Sequence, residues 1–225
     1  MMDVTSKFYP YEKIYKGYSD LSESLLIPKK IANYLLDLLD GHYTPIDDNT
    51  YPRTRLWKYL YYDGEQPLKN PLPTAKQKKS VLFDPDEPTK PSDPAKGFRL
   101  IPEIFIKPAQ TDAQTRIYFY MGSSVPDNDF RIQMSVVFRI WTHYTEENNT
   151  RMSTAYSRVS AIEQALFESL HGVNMAGVGA FYFNRAKHSS CRSTPIADGN
   201  TNVGRELVMG IEVASNAENF ADCKK

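Results

Sequence analysis

Histidine and cysteine side chains, which are ligands of structural zinc sites, occur close together at one place in the chain. His188 and Cys191, in "HSSC", stand at a spacing at which both could hold one metal ion. Nothing else in the sequence completes a set of four ligands at zinc spacing, so we expect no metal site. Cys191 and Cys223 are too few for a disulfide framework. Both are expected to be free thiols, as in a reducing compartment.

Residue patterns that would indicate catalysis are equally sparse. The four histidines lie in four different sequence contexts, at His42, His143, His171 and His188. No arrangement of Ser, His and an acid suggests an activated nucleophile. Gly172, Gly177 and Gly179 follow a predicted helix and lead into a predicted strand, which reverses the order of a dinucleotide-binding fingerprint. We therefore expect neither enzymatic activity nor a cofactor.

Two groups of basic and aromatic residues are of the kind that contacts single-stranded nucleic acid. They are "YPRTRLWKY" (51–59) and "FNRAKHSSCR" (183–192). Arg53, Arg55 and Lys58, however, alternate with apolar residues, as on a solvated strand face. The chain has 27 basic and 27 acidic residues, so no net charge attracts a polyanion. Nucleic-acid binding is not expected as the main role, although transient contact with DNA in a channel stays open.

The composition is that of a protein with a sizeable core and aromatic contact surfaces. A chain of 225 residues that is 41% hydrophobic suits one large domain. Fifteen Tyr and eleven Phe beside only eleven Gly favour a β-rich fold. No apolar run approaches the length of a bilayer span, and the first residues lack the hydrophobic stretch of a signal peptide. We expect the protein to stay in the cytoplasm in which it is made.

Apolar periodicity predicts two amphipathic helices. The first lies within 27–42, where Pro28 suits the opening turn and Gly41 the stop. Its apolar stripe consists of Ile31, Leu35, Leu38 and Leu39. The second lies within 151–172 and ends at Gly172. Its stripe consists of Ala155, Val159, Ile162, Leu166 and Leu170.

Alternation of apolar and polar residues predicts strands, of which 131–144, "RIQMSVVFRIWTHY", is the longest. It should form an antiparallel hairpin with 115–122. Other strands are predicted at 53–62, 98–106, 177–187 and 205–213, and Asp63-Gly64 should turn the chain. The predicted fold class is α+β: an antiparallel or mixed β-sheet with a long β-hairpin, packed by two main α-helices, plus extended N-terminal and proline-rich segments.

The predicted organisation is a single α+β domain over 25–214. An aromatic N-terminal extension over 1–24 precedes it, and a polar tail over 215–225 follows it. Seven of the fifteen prolines lie between residues 67 and 94, so that stretch is predicted to be neither a helix nor a central strand. The segment at about 64–97 is therefore expected to be a proline-rich arm or insertion.

The order of these elements resembles that of tail-terminator and other tail-completion (neck) proteins of long-tailed bacteriophages. The resemblance rests on the first helix, within 25–45, and on "MSVVFRIW", "SAIEQALFESL", "GAFYFNRAK" and "GRELVMGIEVAS" within 98–214. It implies a structural virion protein that forms a ring, commonly a hexamer, at the head-tail junction and is assembled in the host bacterial cytoplasm. Such a ring terminates the tail tube and docks it to the head connector.

The implied partners are other copies of the chain, the tail tube protein and the head connector or stopper protein, with no membrane. Two other functions stay open. One is a head-tail adaptor or stopper (neck) protein, which would also form a ring. The other is a ligand- or carbohydrate-binding domain, which would stack its aromatic residues on the ligand and needs a concave pocket.

The long hairpin suggests how subunits of a ring would associate. A hairpin too long for its own domain would expose backbone groups that a strand of a neighbouring copy satisfies. We expect Trp57, Tyr61, Arg139 and Trp141 to contribute to the subunit interface, because interface cores favour these residue types. For Trp57 and Trp141, a place in the subunit's own core is the alternative. The proline-rich arm would lie over the adjacent subunit or ring.

Overall fold

The computed structural model describes residues 26–36, 46–83, 97–102, 114–128, 131–147, 157–175, 178–198 and 201–214. Several predicted features lie outside these ranges. They are the N-terminal extension, the polar tail, the stop at Gly41, residues 84–96 of the arm and residues 103–106 of the strand predicted at 98–106. The helices are α1 (Ile27–Leu35), α2 (Pro52–Tyr61), α3 (Ala75–Ser80) and α4 (Arg158–Leu170), with a 3-10 turn at Pro67–Lys69. The helices α1 and α4 confirm the two helices predicted from periodicity.

The prediction of a strand at 53–62 is wrong, because these residues form α2. Alternation of Trp57, Tyr59 and Tyr61 with Leu56 and Leu60 looked like a strand with two apolar faces. The same residues also place buried groups at helical spacing, with Leu56 and Leu60 four residues apart. Pro52 occupies the first turn, where its missing N–H costs no intrahelical bond. The chain then turns at Gly64, whose φ of 90° a residue with a side chain rarely adopts.

The prediction that the proline-rich stretch holds no helix is also wrong at one place. The helix α3 lies between Pro73 and Pro85, in a part of the stretch that is free of proline. Its N-cap is Thr74, whose side-chain oxygen accepts a hydrogen bond from the backbone N–H of Gln77, while the side-chain oxygen of Gln77 accepts one from the Thr74 N–H. This reciprocal cap stabilises a helix of only six residues.

The strands are β1 (Leu100–Ile101), β2 (Thr115–Asn128), β3 (Arg131–His143), β4 (Asn174–Met175), β5 (Gly179–Tyr182), β6 (Arg192–Asp198) and β7 (Asn202–Ala214). They form one sheet in the order β1-β2-β3-β7-β5-β4, and β6 pairs with the first half of β7. Only β1 and β2 are parallel, so the sheet is mixed. The α+β fold class and the long β2–β3 hairpin are as predicted.

The strand β3 finds both of its neighbours within the subunit. Every residue from Arg131 to His143 has a partner in β7, from Ala214 to Asn202. The expectation that the long hairpin needs a neighbouring copy to complete its pairing is therefore wrong for β3. Among the described strands, the outer edge of β2 beyond Tyr118 has no partner, because β1 covers only Ile117 and Tyr118, and β4 and β6 also have a single neighbour each.

The hairpin also carries a bulge that separates its base from its tip. Between Met121 and Ser124 the register of β2 against β3 shifts by one residue. The hydroxyl of Ser135 fills the bulge by accepting a hydrogen bond from the Ser123 N–H at 2.8 Å. A Cβ on Gly122 would lie 2.5 Å from that hydroxyl oxygen, so glycine fits there.

The core lies between the helices and one face of the sheet. The inward face of β3, with Met134, Val136, Phe138 and Ile140, packs against the apolar residues of α1, α2 and α4 in one buried cluster. Phe138 stacks on Phe119 of β2, with ring centroids 5.7 Å apart. The opposite face of the sheet, hereafter the open face, contributes no residue of β3 to this cluster.

Candidate interaction surface

The open face carries aromatic and charged side chains in adjacent rows. The register places Arg116, Tyr118 and Tyr120 of β2 beside Trp141, Arg139 and Val137 of β3, and these beside Gly204, Glu206 and Val208 of β7. Tyr118, Tyr120, Arg139 and Trp141 are each half-buried. Trp, Tyr and Arg are the residues that interface cores favour, so this face has the composition of a contact surface.

Glu206 organises the charges at the centre of the open face. Its carboxylate accepts hydrogen bonds from Arg139 Nε at 2.9 Å and from Arg192 Nη2 at 2.6 Å. Arg139 also lies over the ring of Tyr120, at 5.6 Å from the centroid. Burial alone would raise the pKa of Glu206, but the hydrogen bonds and charges of Arg139 and Arg192 outweigh it and hold the pKa below its usual value. Burial raises the pKa of Tyr120.

Arg116 is the charged residue of the open face whose hydrogen bonding is incomplete. Its side chain is 6% exposed, and it donates from Nη2 to the Gln114 side chain at 3.2 Å. Its Nε and Nη1 are buried and have no hydrogen-bond partner. Most buried polar groups are paired, because an unmade hydrogen bond costs about 1–3 kcal/mol. Arg116 therefore carries this cost within the subunit, since its buried nitrogens are out of reach of another molecule.

The four predicted interface residues do not lie together. Arg139 and Trp141 lie on the open face, whereas Trp57 and Tyr61 lie on α2 among the core residues. Trp57 is fully buried, donates from its indole Nε1 to the Leu35 carbonyl at 2.6 Å, and lies below Lys78 Nζ. Tyr61 is 7% exposed. Trp57 thus occupies the core position that the sequence left as its alternative.

Two buried arginines that the sequence did not single out cap the C-terminus of α2. Arg99 donates to the Leu60 carbonyl at 2.9 Å and forms two 2.7 Å hydrogen bonds with the Asp63 carboxylate. Arg158 donates to the carbonyls of Tyr59, Tyr62 and Gly64, at 2.6–2.8 Å. The carbonyls at a helix end have no intrahelical partner, so cations stabilise them. Burial lowers the pKa of Arg158.

Histidine and cysteine contribute no metal site in the described ranges. No group of three or more His, Cys, Asp or Glu residues there could hold an ion. Cys191 is a buried free thiol. His188 is 5% exposed, and burial lowers its pKa. Its Nδ1 accepts from the Ser190 N–H at 3.2 Å, which orients the ring within its own loop.

The basic residues of "YPRTRLWKY" are engaged within the subunit. Arg53 donates to the Tyr34 carbonyl and lies over the Tyr34 ring, and Arg55 pairs with Glu168. Lys58 forms a 2.6 Å ion pair with Asp47. These contacts reduce what the first basic group can offer to a nucleic acid. Of the second group, Arg192 reaches the open face, where it pairs with Glu206.

A groove of about 470 Å³ lies at one end of the sheet, beside the N-terminus of α4. Its apolar lining includes Tyr144, Val159, Pro195, Ile196, Ala197 and Val203. Tyr144 is 48% exposed and Val203 is 36% exposed. Gly204 also lines the groove, and Trp141 lies beside it, because a Cβ on Gly204 would be 2.9 Å from the indole. The groove and the Trp141 end of the open face therefore adjoin.

Comparison with known proteins yields one family. A family model described as YomW matches residues 54–209. No curated protein matches the chain. Among the helices of the described residues, none is long and apolar enough to cross a membrane. The family match spans more than half of the 225 residues and includes most of α2, the hairpin, α4 and most of β7. The chain therefore belongs to the YomW family, which is phage-associated.

Proposed function

We propose that the protein is a structural virion protein that forms a ring at the head-tail junction of a tailed bacteriophage. The ring, a hexamer in this proposal, ends the tail tube and docks it to the head connector. The protein acts by binding other copies of itself, the tube protein and the connector or stopper protein, without catalysis or a cofactor. Its phage-associated family and the contact surface on its open face support this function.

The single observation that carries the proposal is the state of the open face around Trp141. Trp141 and Arg139 are half-buried there and lie beside the half-buried Tyr118 and Tyr120 of β2. A subunit that functioned alone would keep the exposed parts of these large side chains in contact with water. A neighbouring subunit would bury them together in one contact.

Ring closure suits a surface of this kind. Cyclic symmetry repeats one heterologous contact around an axis, so each subunit uses two different surfaces once each. The same few anchor residues then stabilise every interface of the ring. Arg139 and Trp141 are such anchors in this proposal.

The experiment that tests this function is a capping assay on purified tail tubes. Tubes polymerising in vitro should stop lengthening when the protein is added, and electron microscopy should show density at one tube end. The matched variants are Trp141→Ala, which should lose capping, and Ala186→Ser at an exposed loop position, which should keep it. Tubes that grow to the same length with and without the wild-type protein would contradict the proposal.

A further inference from the structure

We infer that subunits associate head to tail, with the turn that precedes α2 in one copy seated on the open face of the next. The turn is defined as residues 46–51. Its central contact joins the carboxylate of Asp48 to the guanidinium groups of Arg139 and Arg192. This inference rests on the proposed ring and names the two surfaces that build it.

Two guanidinium groups on the open face are held in place and have donors left over. Glu206 binds Arg139 through one carboxylate oxygen and Arg192 through the other, so two cations share one anion. The Glu206 side chain is 11% exposed, whereas those of Arg139 and Arg192 are 43% and 51% exposed, which places the guanidinium groups nearer the solvent. Within the described ranges, Nη1 and Nη2 of Arg139 make no hydrogen bond. Because both side chains are already positioned, a carboxylate of another molecule binds them at a reduced entropic cost.

The turn before α2 supplies an exposed carboxylate. Oδ1 of the exposed Asp48 accepts a hydrogen bond from the Thr50 N–H at 2.9 Å, while Oδ2 has no partner among the described residues. The other exposed acids whose side chains the structure describes each have a partner within the subunit. They are Asp47, which pairs with Lys58, Asp63, which pairs with Arg99, Glu168, which pairs with Arg55, and Glu65. Asp48 is therefore the exposed acid that has an acceptor left for another molecule.

Apolar side chains surround the charged groups on both surfaces. In the turn, Ile46 is 44% exposed and Tyr51 is 39% exposed. On the open face, half-buried Tyr118 is the cross-strand partner of Arg139, and half-buried Trp141 lies two residues further along β3. Contact between these side chains removes apolar surface from water and shields the ion pair from solvent.

The two surfaces lie on opposite sides of the sheet, which suits a ring. A 2.7 Å hydrogen bond from Thr54 Oγ1 to the Ile46 carbonyl ties the turn to the start of α2, and α2 packs on the core side of the sheet. The open face is the other side, so Asp48 reaches Arg139 of another copy and not its own. Two different surfaces produce a heterologous contact, which makes a ring when the rotation closes.

A nucleic acid is the competing occupant of the open face, because it too would pair with arginine and stack on aromatic side chains. Glu206 cancels one of the two positive charges of Arg139 and Arg192. The whole chain, with 27 basic and 27 acidic residues, adds no net attraction for a polyanion. The remaining surplus of one positive charge suits a single carboxylate of a protein partner.

The test is cross-linking between two cysteine variants of the full chain. In a Cys223→Ser background, Thr50→Cys and Thr194→Cys proteins are mixed when dilute, concentrated together and treated with a short bis-maleimide. Both positions are exposed, Thr194 lies beside Glu206 on the open face, and the buried Cys191 is left in place. We expect a covalent dimer in the mixture and none from either variant alone. A matched mixture of Thr50→Cys with Gln164→Cys, an exposed position of α4 on the core side of the sheet, should give no dimer.

A second variant tests the charge in the same contact. Asp48→Asn keeps an acceptor for the Thr50 N–H but removes the negative charge. It should weaken self-association about tenfold, as measured by sedimentation, because a charge-assisted hydrogen bond is lost. The control is Glu65→Gln, which removes the charge of an exposed acid outside the turn and should leave self-association unchanged.

The outcomes separate this contact from the proposed function. Assemblies of wild-type mass that give no cross-link, and that Asp48→Asn leaves intact, would overturn the inference and leave the ring proposal standing. A labelled oligothymidylate that binds the wild type but not Arg139→Gln would overturn it too, since the open face would then serve a nucleic acid. Failure of tube capping despite the cross-link would instead count against the proposed function.

Discussion

At the scale of single residues, arginine has two roles that the sequence does not distinguish. Arg99 and Arg158 are fully buried and hold the end of α2, while Arg139 and Arg192 are partly exposed and hold Glu206 on the open face. Which role an arginine takes depends on whether unpaired carbonyls lie within its reach, and that depends on tertiary structure. For this reason the sequence placed Arg139 among candidate interface residues but missed the two buried arginines.

The charge cluster around Glu206 predicts a dependence of stability on pH. Because the folded-state pKa of Glu206 is lowered, its ionised form stabilises the folded protein. This contribution is complete above the ordinary pKa of 4.5 and is lost as the pH falls through the lower, folded-state pKa. Glu206→Gln should therefore reduce the free energy of unfolding at pH 7 and have a smaller effect near pH 3.

Urea denaturation of the wild type and of Glu206→Gln, at several values between pH 7 and pH 3, measures this difference. If the wild type exceeds the variant in free energy of unfolding by as much near pH 3 as at pH 7, Glu206 does not have the expected pKa. The double variant Arg139→Gln, Arg192→Gln serves as the control, because burial raises the pKa of Glu206 in that background. A Glu206→Gln change made there should no longer reduce the free energy of unfolding at pH 7.

At the scale of elements, the sequence correctly predicted the parts whose apolar residues fit only one period, either that of a helix or that of a strand. The helices α1 and α4, the hairpin and β7 each show a single period and were found where expected. In α2 the apolar residues fit both the period of a helix and that of a strand. Packing against α4 favours the helix, and an ion pair between Arg55 of α2 and Glu168 of α4 contributes to this packing. The strand β6 was not predicted, since Pro195 interrupts its sequence, and it forms because β7 offers seven partners in register.

The junction of α2 and α4 should depend strongly on Arg158. Arg158→Leu removes three hydrogen bonds to carbonyls and the partner of Glu146, whose carboxylate lies 3.6 Å from the guanidinium. Loss of one partner of a buried ion pair typically costs about 3–5 kcal/mol. We expect a loss of this size in the free energy of unfolding, measured by chemical denaturation.

The matched control is Arg185→Leu, because Arg185 is exposed in the loop after β5. A surface substitution of this kind should change the free energy of unfolding by less than about 0.5 kcal/mol. Equal effects of the two variants would mean that Arg158 does not hold α2, and the capping role assigned to it would have to be abandoned.

At the scale of the whole molecule, we propose that copies of the subunit associate through side chains. The strand β3 is fully paired within the subunit, so its backbone offers no pairing to another copy. The partly exposed Arg139 and Trp141 on the open face are the surface on which the proposal rests. The sequence indicated both residues by their type, but it did not show that Trp57 and Tyr61 lie elsewhere, since that depends on which elements pack together in the folded subunit.

The mass of the purified protein in solution tests this account most directly. Light scattering across a range of micromolar concentrations should give a closed assembly of several 25.7 kDa subunits, six in our proposal, and Trp141→Ala should shift it toward the single subunit. A wild-type protein that stays at 25.7 kDa at every concentration, also when tail tubes or connectors are added, would contradict the account.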